Sequence, residues 1–205
     1  MLGALTVYAK AGQAVLVTPF IMAGAMAPAS TCGAVSQLNA EVTAGIAWTR
    51  ANIAAHGGDP EALFLMGHSA GGHLVTLVAN REPRERVRGV VALSPVLDLG
   101  DMQRTQDATF NAEVTAPVFV NRLTSHSPSE LWTASTPPTL FVLGSDDYPY
   151  LLPQAARATE RLRELGVAVD THTVPGVDHA CVVLAFGAEG DAVTPRVAEW
   201  IHAQR

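Results

Sequence analysis

Along this chain, short stretches of nearly continuous apolar residues alternate with longer stretches in which apolar residues recur every three or four positions. The short runs cover 14–18, 62–66, 89–93, 139–143 and 167–174. The first four are apolar at successive positions, the pattern of strands buried on both faces of a parallel sheet. Between the first two, Leu38, Val42, Ile46, Thr49 and Ile53 mark one face of a helix that Gly57-Gly58 closes. Beyond 139–143, Pro153 suits a first helical position, Ala155, Ala158, Leu162 and Leu165 line an inner face, and Gly166 ends the helix. A last helix is expected over 195–203. Strands alternating with helices in this way predict an α/β fold with a mainly parallel sheet between helical layers. The stretch 98–137 has no clean period and reads as a pocket-shaping excursion above the sheet. Within it Phe110, Phe119, Leu123 and Trp132 are either pocket walls or ordinary packing beneath a loop.

Composition narrows the class. The 205 residues are 48% hydrophobic and 16% charged, which suits a single packed domain over 1–205. Thirteen Lys and Arg stand against nineteen Asp and Glu, a net charge of −6. No basic cluster offers a nucleic-acid surface. The one basic concentration, Arg81 to Arg88, is interrupted by Glu82 and Glu85 and reads as a solvated connection. Cys32 and Cys181 have no CxxC or Cys/His spacing; free thiols in a reducing, cytoplasmic setting are expected, with one long-range disulfide as the alternative. The seven histidines show no HExxH pattern, so neither a metal nor another cofactor is expected. The apolar run 14–29 has no basic region of the leader-peptide kind before it, Lys10 being awkwardly placed for one; it is interrupted by Pro19 and is too short for a membrane span. It reads as a buried strand.

The chemistry concentrates at Gly67-His68-Ser69-Ala70-Gly71, between the 62–66 strand and a helical run starting near Gly72. A GxSxG pentapeptide placed strand–turn–helix is a nucleophile elbow: the serine occupies a cramped turn, and side chains at positions 67 and 71 would collide with neighbouring backbone. The Ala70 amide, at the start of the following helix, is then a candidate oxyanion donor. The competing reading, a nucleotide-binding glycine turn, would need GxGxxG or a Lys-Ser/Thr ending, and neither is present.

A serine hydroxyl needs an adjacent base. Partners of such an elbow follow in the order acid, then histidine, each from a loop after a later strand. His179, in Val174-Pro175-Gly176-Val177-Asp178-His179, occupies the histidine position. His68 and His73 lie too close to Ser69 in sequence and read as elbow and packing residues; His56, His126, His172 and His202 do not fit the order. For the acid, Asp146 and Asp147 compete after the 139–143 strand, with Asp147 preferred. Asp178 reads as a loop-shaping residue, and Asp98 is an outside candidate.

Gly67-His68-Ser69-Ala70-Gly71-Gly72-His73-Leu74, preceded by Trp48 and His56-Gly57-Gly58-Asp59-Pro60, resembles the esterase/lipase group of α/β-hydrolases. That group includes the arylformamidases and the small carboxylesterases similar to hormone-sensitive lipase. Gly144-Ser145-Asp146-Asp147-Tyr148-Pro149, with Gln154 beyond it, resembles the arylformamidase acid loop and places the family aspartate on Asp147; Gly176-Val177-Asp178-His179 resembles the family's histidine loop. The resemblance implies a three-layer α/β-hydrolase sandwich and a triad of Ser69, Asp147 and His179. Hydrolysis of small carboxylic esters is the leading expectation and arylformamidase-type amide hydrolysis the second. The third is a catalytically silent binding or assembly module. Family members also carry an upstream His-Gly-Gly segment whose amides complete the oxyanion hole. Its absence here implies an N-terminally shortened form of a longer hydrolase, lacking the strand between those at 14–18 and 62–66: a truncated product, a misassigned start, or a protein that compensates by strand rearrangement or by dimerisation. Thr18-Pro19-Phe20 stands where the family usually has Asn-Tyr-Arg. An edge left open by a missing strand would favour homo-oligomers.

Overall fold

Alternate residues of each central strand point to opposite helical layers. In β3 (Leu63–His68), Leu63 and Leu65 join one apolar cluster while Phe64 and Met66 join another. β4 (Gly89–Leu93) divides in the same way, Val90 and Ala92 against Val91 and Leu93. This double burial explains why the sequence is apolar at successive positions there. The computed structural model describes residues 6–10, 13–18, 34–81, 87–119 and 122–204. Among them a six-stranded sheet follows chain order, from β1 (Thr6–Lys10) and β2 (Gln13–Thr18) through β3 and β4 to β5 (Thr139–Asp146) and β6 (Val169–Asp178). β1 and β2 pair antiparallel and every later pair is parallel.

Because successive crossovers step in one direction, right-handed connections put their helices on one face. That layer holds α1 (Ala34–Asn52), α2 (Ala70–Ala79) and α7 (Leu151–Glu164), which contribute Val42 and Ile46, Leu74, Val75 and Val78, and Ala155, Ala158 and Leu162. The opposite layer holds α8 (Cys181–Leu184) and α9 (Val193–Ala203), with Val182, Val197, Trp200 and Ile201 inward. Trp200 meets Phe64 edge to face at 6.2 Å.

The stretch 98–137 is a chain of short helical pieces, α3 (Leu99–Thr105), α4 (Ala108–Phe110), a π-helical turn (Asn111–Thr115), α5 (Ala116–Phe119), α6 (Leu123–His126) and a 3-10 turn (Pro128–Glu130). Pieces this short cannot display a helical period, which is why the pattern was unreadable. Phe110, Phe119, Leu123 and Trp132 are partly buried against the core of the α1/α2/α7 layer, so they pack as core satellites.

Several element boundaries depart from the sequence reading. α2 begins at Ala70, directly after the serine, rather than near Gly72. α7 begins at Leu151, which makes Pro153 its third residue; first-turn N–H groups lack intrahelical partners, so proline is tolerated there as well. β1 was not anticipated, because Thr6–Lys10 mixes polar and apolar residues. The largest difference is at the expected vacancy. β2 pairs directly with β3, from Ala14↔Leu63 to Thr18↔Gly67, so no strand lies between them and no slot stands open there. β1 covers the other edge of β2.

Of the basic connection, Arg81 donates to the Ser125 carbonyl at 2.6 Å and Arg88 to the Gln204 carbonyl at 2.9 Å; residues 82–86 lie outside the described residues. Cys181 is an exposed free thiol, and Cys32 and residues 19–33 lie outside the described residues. Among the described residues no helix is long and apolar enough to cross a membrane. Nor does any group of three or more His, Cys, Asp or Glu side chains there have the arrangement of a metal site.

Candidate active site

Ser69 stands between β3 and α2 with φ 55 and ψ −119. Positive φ is costly for a residue with a Cβ. The turn is over-determined by its neighbours, since the Ser69 N–H donates to the Leu93 carbonyl at 2.8 Å and its own carbonyl accepts from His73 N–H at 2.9 Å. A Cβ on Gly67 would lie 2.3 Å from the Gly71 carbonyl oxygen. A Cβ on Gly72 would meet Pro95 Cβ at 3.0 Å and the Leu93 carbonyl oxygen at 3.2 Å. The constraint on position 72 was not foreseen. Ala70 is the first residue of α2, where helix N–H groups are free to face a ligand.

Three chain segments bring their side chains together at this turn. His179 Nε2 lies 2.9 Å from Ser69 Oγ, and His179 Nδ1 lies 2.7 Å from Asp147 Oδ1. Because an ionised carboxylate only accepts, the Nδ1 proton faces Asp147 and leaves Nε2 as an acceptor for the serine hydroxyl. Asp147 follows β5, and its side chain is fully buried. Burial pushes the Asp147 carboxyl upward, but hydrogen bonds from His179, from Ser94 Oγ and from the Tyr148 N–H outweigh it and hold the group below the usual carboxylate range.

Glycine allows the acid and histidine loops to meet. A Cβ on Gly144 would lie 1.9 Å from the Val177 carbonyl oxygen. The β5/β6 register shifts between Gly144 and Asp146, and Gly176 N–H donates to Ser145 Oγ at 2.7 Å with Gly176 at φ 68. The close approach of Val177 brings the following residues, Asp178 and His179, back over the end of β5.

The other candidates take other parts. Asp146 is exposed and accepts from Ser145 Oγ at 2.9 Å, away from His179. Asp98 caps α3 by accepting from the Asp101 N–H at 2.8 Å. Asp178 accepts from the Cys181 N–H at 2.8 Å, which shapes the loop behind His179. His73 is buried with Nδ1 on the Val96 carbonyl at 3.0 Å, and burial depresses its pKa to about 4. His126 is buried, with Nδ1 on the Arg122 carbonyl at 2.9 Å.

Two contributors escaped the sequence reading. Ser94, at the end of β4 with φ 46, donates from Oγ to Asp147 Oδ2 at 2.5 Å. Nothing in its local sequence, Leu93-Ser94-Pro95, marks it out. His68 was read only as an elbow residue, yet its Nε2 lies 2.8 Å from the His179 carbonyl oxygen. A carbonyl cannot donate, so Nε2 carries the proton. Burial holds the His68 pKa below its ordinary value, against the pull of that bond, which keeps the ring neutral beside His179. Tyr148 completes the surroundings, its ring centroid 4.5 Å from that of His179.

Comparisons with known proteins agree with this architecture. The family described as alpha/beta hydrolase fold matches residues 27–183. Esterase LipC of Mycobacterium tuberculosis is 30% identical over 159 residues, 68% of this chain and 40% of LipC. Isoprenylcysteine alpha-carbonyl methylesterase ICME of Arabidopsis thaliana is 21% identical over 197 residues, 84% of this chain and 46% of that protein. The chain thus spans less than half the length of these curated relatives. Among solved structures, a sugar hydrolase (YeeB) from Lactococcus lactis superposes with a TM-score of 0.64 at 28% identity, covering 83% of this chain and 67% of that one.

Proposed function

This chain belongs to the α/β-hydrolase fold family, and we propose that it is a serine esterase that cleaves small carboxylic esters through an acyl-enzyme on Ser69. The observation that carries the reading is the continuous relay Ser69 Oγ, His179, Asp147, with hydrogen-bond distances of 2.9 and 2.7 Å. Similarity to proteins named as esterases supports the ester as the bond attacked.

In this mechanism His179 Nε2 takes the Ser69 proton as Oγ attacks the ester carbonyl. Asp147, held ionised by its three donors, stabilises the imidazolium that results. The Ala70 N–H points its dipole at the developing oxyanion; removing one such donor typically slows turnover about 10²–10³-fold. His179 then protonates the leaving alcohol, and water, activated by the same nitrogen, releases the acid and restores Ser69. The chain's own side chains and backbone supply every step, and no metal or organic cofactor takes part.

Burst kinetics with p-nitrophenyl acetate, beside Ser69→Ala and a fluorophosphonate probe, test the proposal. A stoichiometric burst and Ser69 labelling, both lost in the variant, are expected. A folded chain with no burst and no labelling would be a silent binding module instead. Faster turnover of N-formylkynurenine than of short esters would move the assignment to amide hydrolysis of the arylformamidase kind.

A further inference from the structure

Beyond β4 the chain turns into a loop, Ser94 to Asp98, in which Ser94, Val96 and Leu97 are buried. Buried N–H and C=O groups that leave a sheet ladder need other partners. Gln154, on α7, supplies them from a side chain only 2% exposed. Its Oε1 accepts from the Leu97 N–H at 2.9 Å and from the Asp98 N–H at 3.0 Å. Its Nε2 donates to the Asp98 carbonyl at 3.0 Å and to Asp101 Oδ2 at 3.1 Å. Donors face one end of the amide and acceptors the other, so its orientation is fixed. On the opposite side His73 Nδ1 ties the Val96 carbonyl of the same loop to α2 at 3.0 Å. The loop is thus held between the helix that follows Ser69 and the helix that follows Asp147.

Both ends of the Gln154 tie lead to Asp147. Tyr148 N–H donates to Asp147 Oδ1 at 2.8 Å, and the Tyr148 carbonyl accepts from Leu151 N–H, the first residue of α7, at 2.9 Å. Gln154 N–H in turn donates to the Tyr150 carbonyl at 3.2 Å. At the other end the loop runs back to Ser94, whose Oγ donates to Asp147 Oδ2 at 2.5 Å. From Asp147 through Tyr148, α7 and Gln154 to residues 97 and 98, and back through Ser94, these links close a circuit. Without Gln154 the circuit opens at its middle. Ser94, at φ 46, then loses part of the surroundings that hold its strained backbone.

We infer that Gln154 is a positioning residue of the relay: it fixes the loop after β4 against α7, so that Ser94 meets the far oxygen of Asp147. The inference rests on the serine-esterase reading above. No bond of the substrate is made or broken at Gln154, and its effect reaches His179 only through Ser94 and Asp147. A residue acting in this way can cost turnover no more than loss of the Ser94 hydroxyl itself.

A double-mutant cycle tests this, with Gln154→Met, Ser94→Ala and the two combined. Methionine keeps the volume and removes every hydrogen bond of the amide. Gln154→Met should lower kcat for p-nitrophenyl acetate about 3- to 10-fold, with KM within about twofold of wild type. In the Ser94→Ala background the same change should cost less than about twofold, because the bond it supports is already gone. An equal loss in both backgrounds would make Gln154 a support of the fold alone and overturn the inference. So would a loss exceeding that of Ser94→Ala, or a rise in KM at unchanged kcat. Gln154→Asn withdraws the amide by one methylene but leaves polar groups that water can bridge, so it repeats the cycle if the methionine chain does not fold. If the wild-type chain turns over no ester, the esterase reading fails and urea unfolding carries the same cycle. The combined effect on the unfolding constant should then fall short of the product of the single effects by at least about twofold; independent effects would overturn the circuit.

Discussion

Ser94→Ala probes the relay at its least obvious point. The wild-type hydroxyl is fully buried and donates to Asp147 Oδ2 at 2.5 Å, while Asp147 Oδ1 takes the His179 and Tyr148 N–H groups. A hydrogen bond to a charged group contributes about 1.5–3 kcal/mol, and a buried oxygen stripped of its donor keeps its desolvation penalty. Unfolding by urea at pH 7 should therefore show a loss in that range. Catalysis should suffer less than it would from losing the carboxylate, because two donors still aim Oδ1 at His179. A decrease in kcat for p-nitrophenyl acetate of about 10-fold is expected, far short of the roughly 10⁴-fold that follows when a triad carboxylate no longer controls the histidine tautomer.

The same bond leaves a mark in the pH dependence of stability. The folded Asp147 carboxyl sits below its ordinary value of 3.8, so its stabilisation is complete above the unfolded pKa and is lost as pH falls through the folded one. The difference in stability between wild type and Ser94→Ala should thus be largest at neutral pH and shrink in the acid range below pH 4. Ser94→Gly removes the same hydroxyl but is at ease with φ 46, so it should be as slow as the alanine variant and about 1 kcal/mol more stable. An alanine variant within twofold of wild-type kcat, or a stability deficit independent of pH, would refute the assignment of Ser94 as support for Asp147.

Other substitutions test separate parts of the site. His68→Phe removes the N–H that holds the His179 carbonyl and should lower kcat about 3- to 10-fold with little change in KM, while His68→Gln, which keeps a donor, stays closer to wild type; equal losses in both would deny the bond a role. His73 is buried with a pKa shifted from 6.5 to about 4, so the unfolded chain takes up its proton first and about 3 kcal/mol of stability is lost between those pH values. His73→Asn, which retains a donor for the Val96 carbonyl, should flatten that slope in denaturation curves from pH 7 to 4.5. Gly144→Ala places a Cβ 1.9 Å from the Val177 carbonyl oxygen, so the histidine loop must move; at least a 100-fold loss of kcat/KM is expected, in a chain whose circular dichroism remains native.

How much was legible in the sequence depended on whether a feature was local. Strands β3 and β4 could be read because burial on both faces makes successive positions apolar, and α7 because Ala155, Ala158 and Leu162 repeat on its buried face. Ser69 and its flanking glycines were legible for the same reason, since a tight turn constrains its own neighbours. Ser94 was not, because it reaches Asp147 across 53 positions and its partner is decided by strand order alone. His68 was visible as a residue type but not as a contact, its partner lying 111 positions away. The place of β2 failed differently. An apolar run shows that a strand exists but not which neighbour it takes, and only the register from Ala14↔Leu63 onwards puts it beside β3.

Ser69 and Ser94 are the non-glycine residues with positive φ among the described residues, and they occupy equivalent places. Each directly follows the end of a central parallel strand and extends that strand's ladder by one hydrogen bond, Ser69 N–H to the Leu93 carbonyl and Ser94 N–H to the Val142 carbonyl. Each then turns sharply away. Such a conformation costs on the order of 1–2 kcal/mol and persists only where the surroundings over-determine it. The surrounding constraint is the sheet itself: ladder bonds fix the backbone nitrogen of each serine, and the reversal beyond it throws the side chain above the strand ends. Adjacent strands thus present two hydroxyls to one His179–Asp147 pair, Ser69 at the imidazole and Ser94 at the far carboxylate oxygen. Strand order therefore sets the relay geometry, with strain at two backbone positions holding both ends of the relay in line.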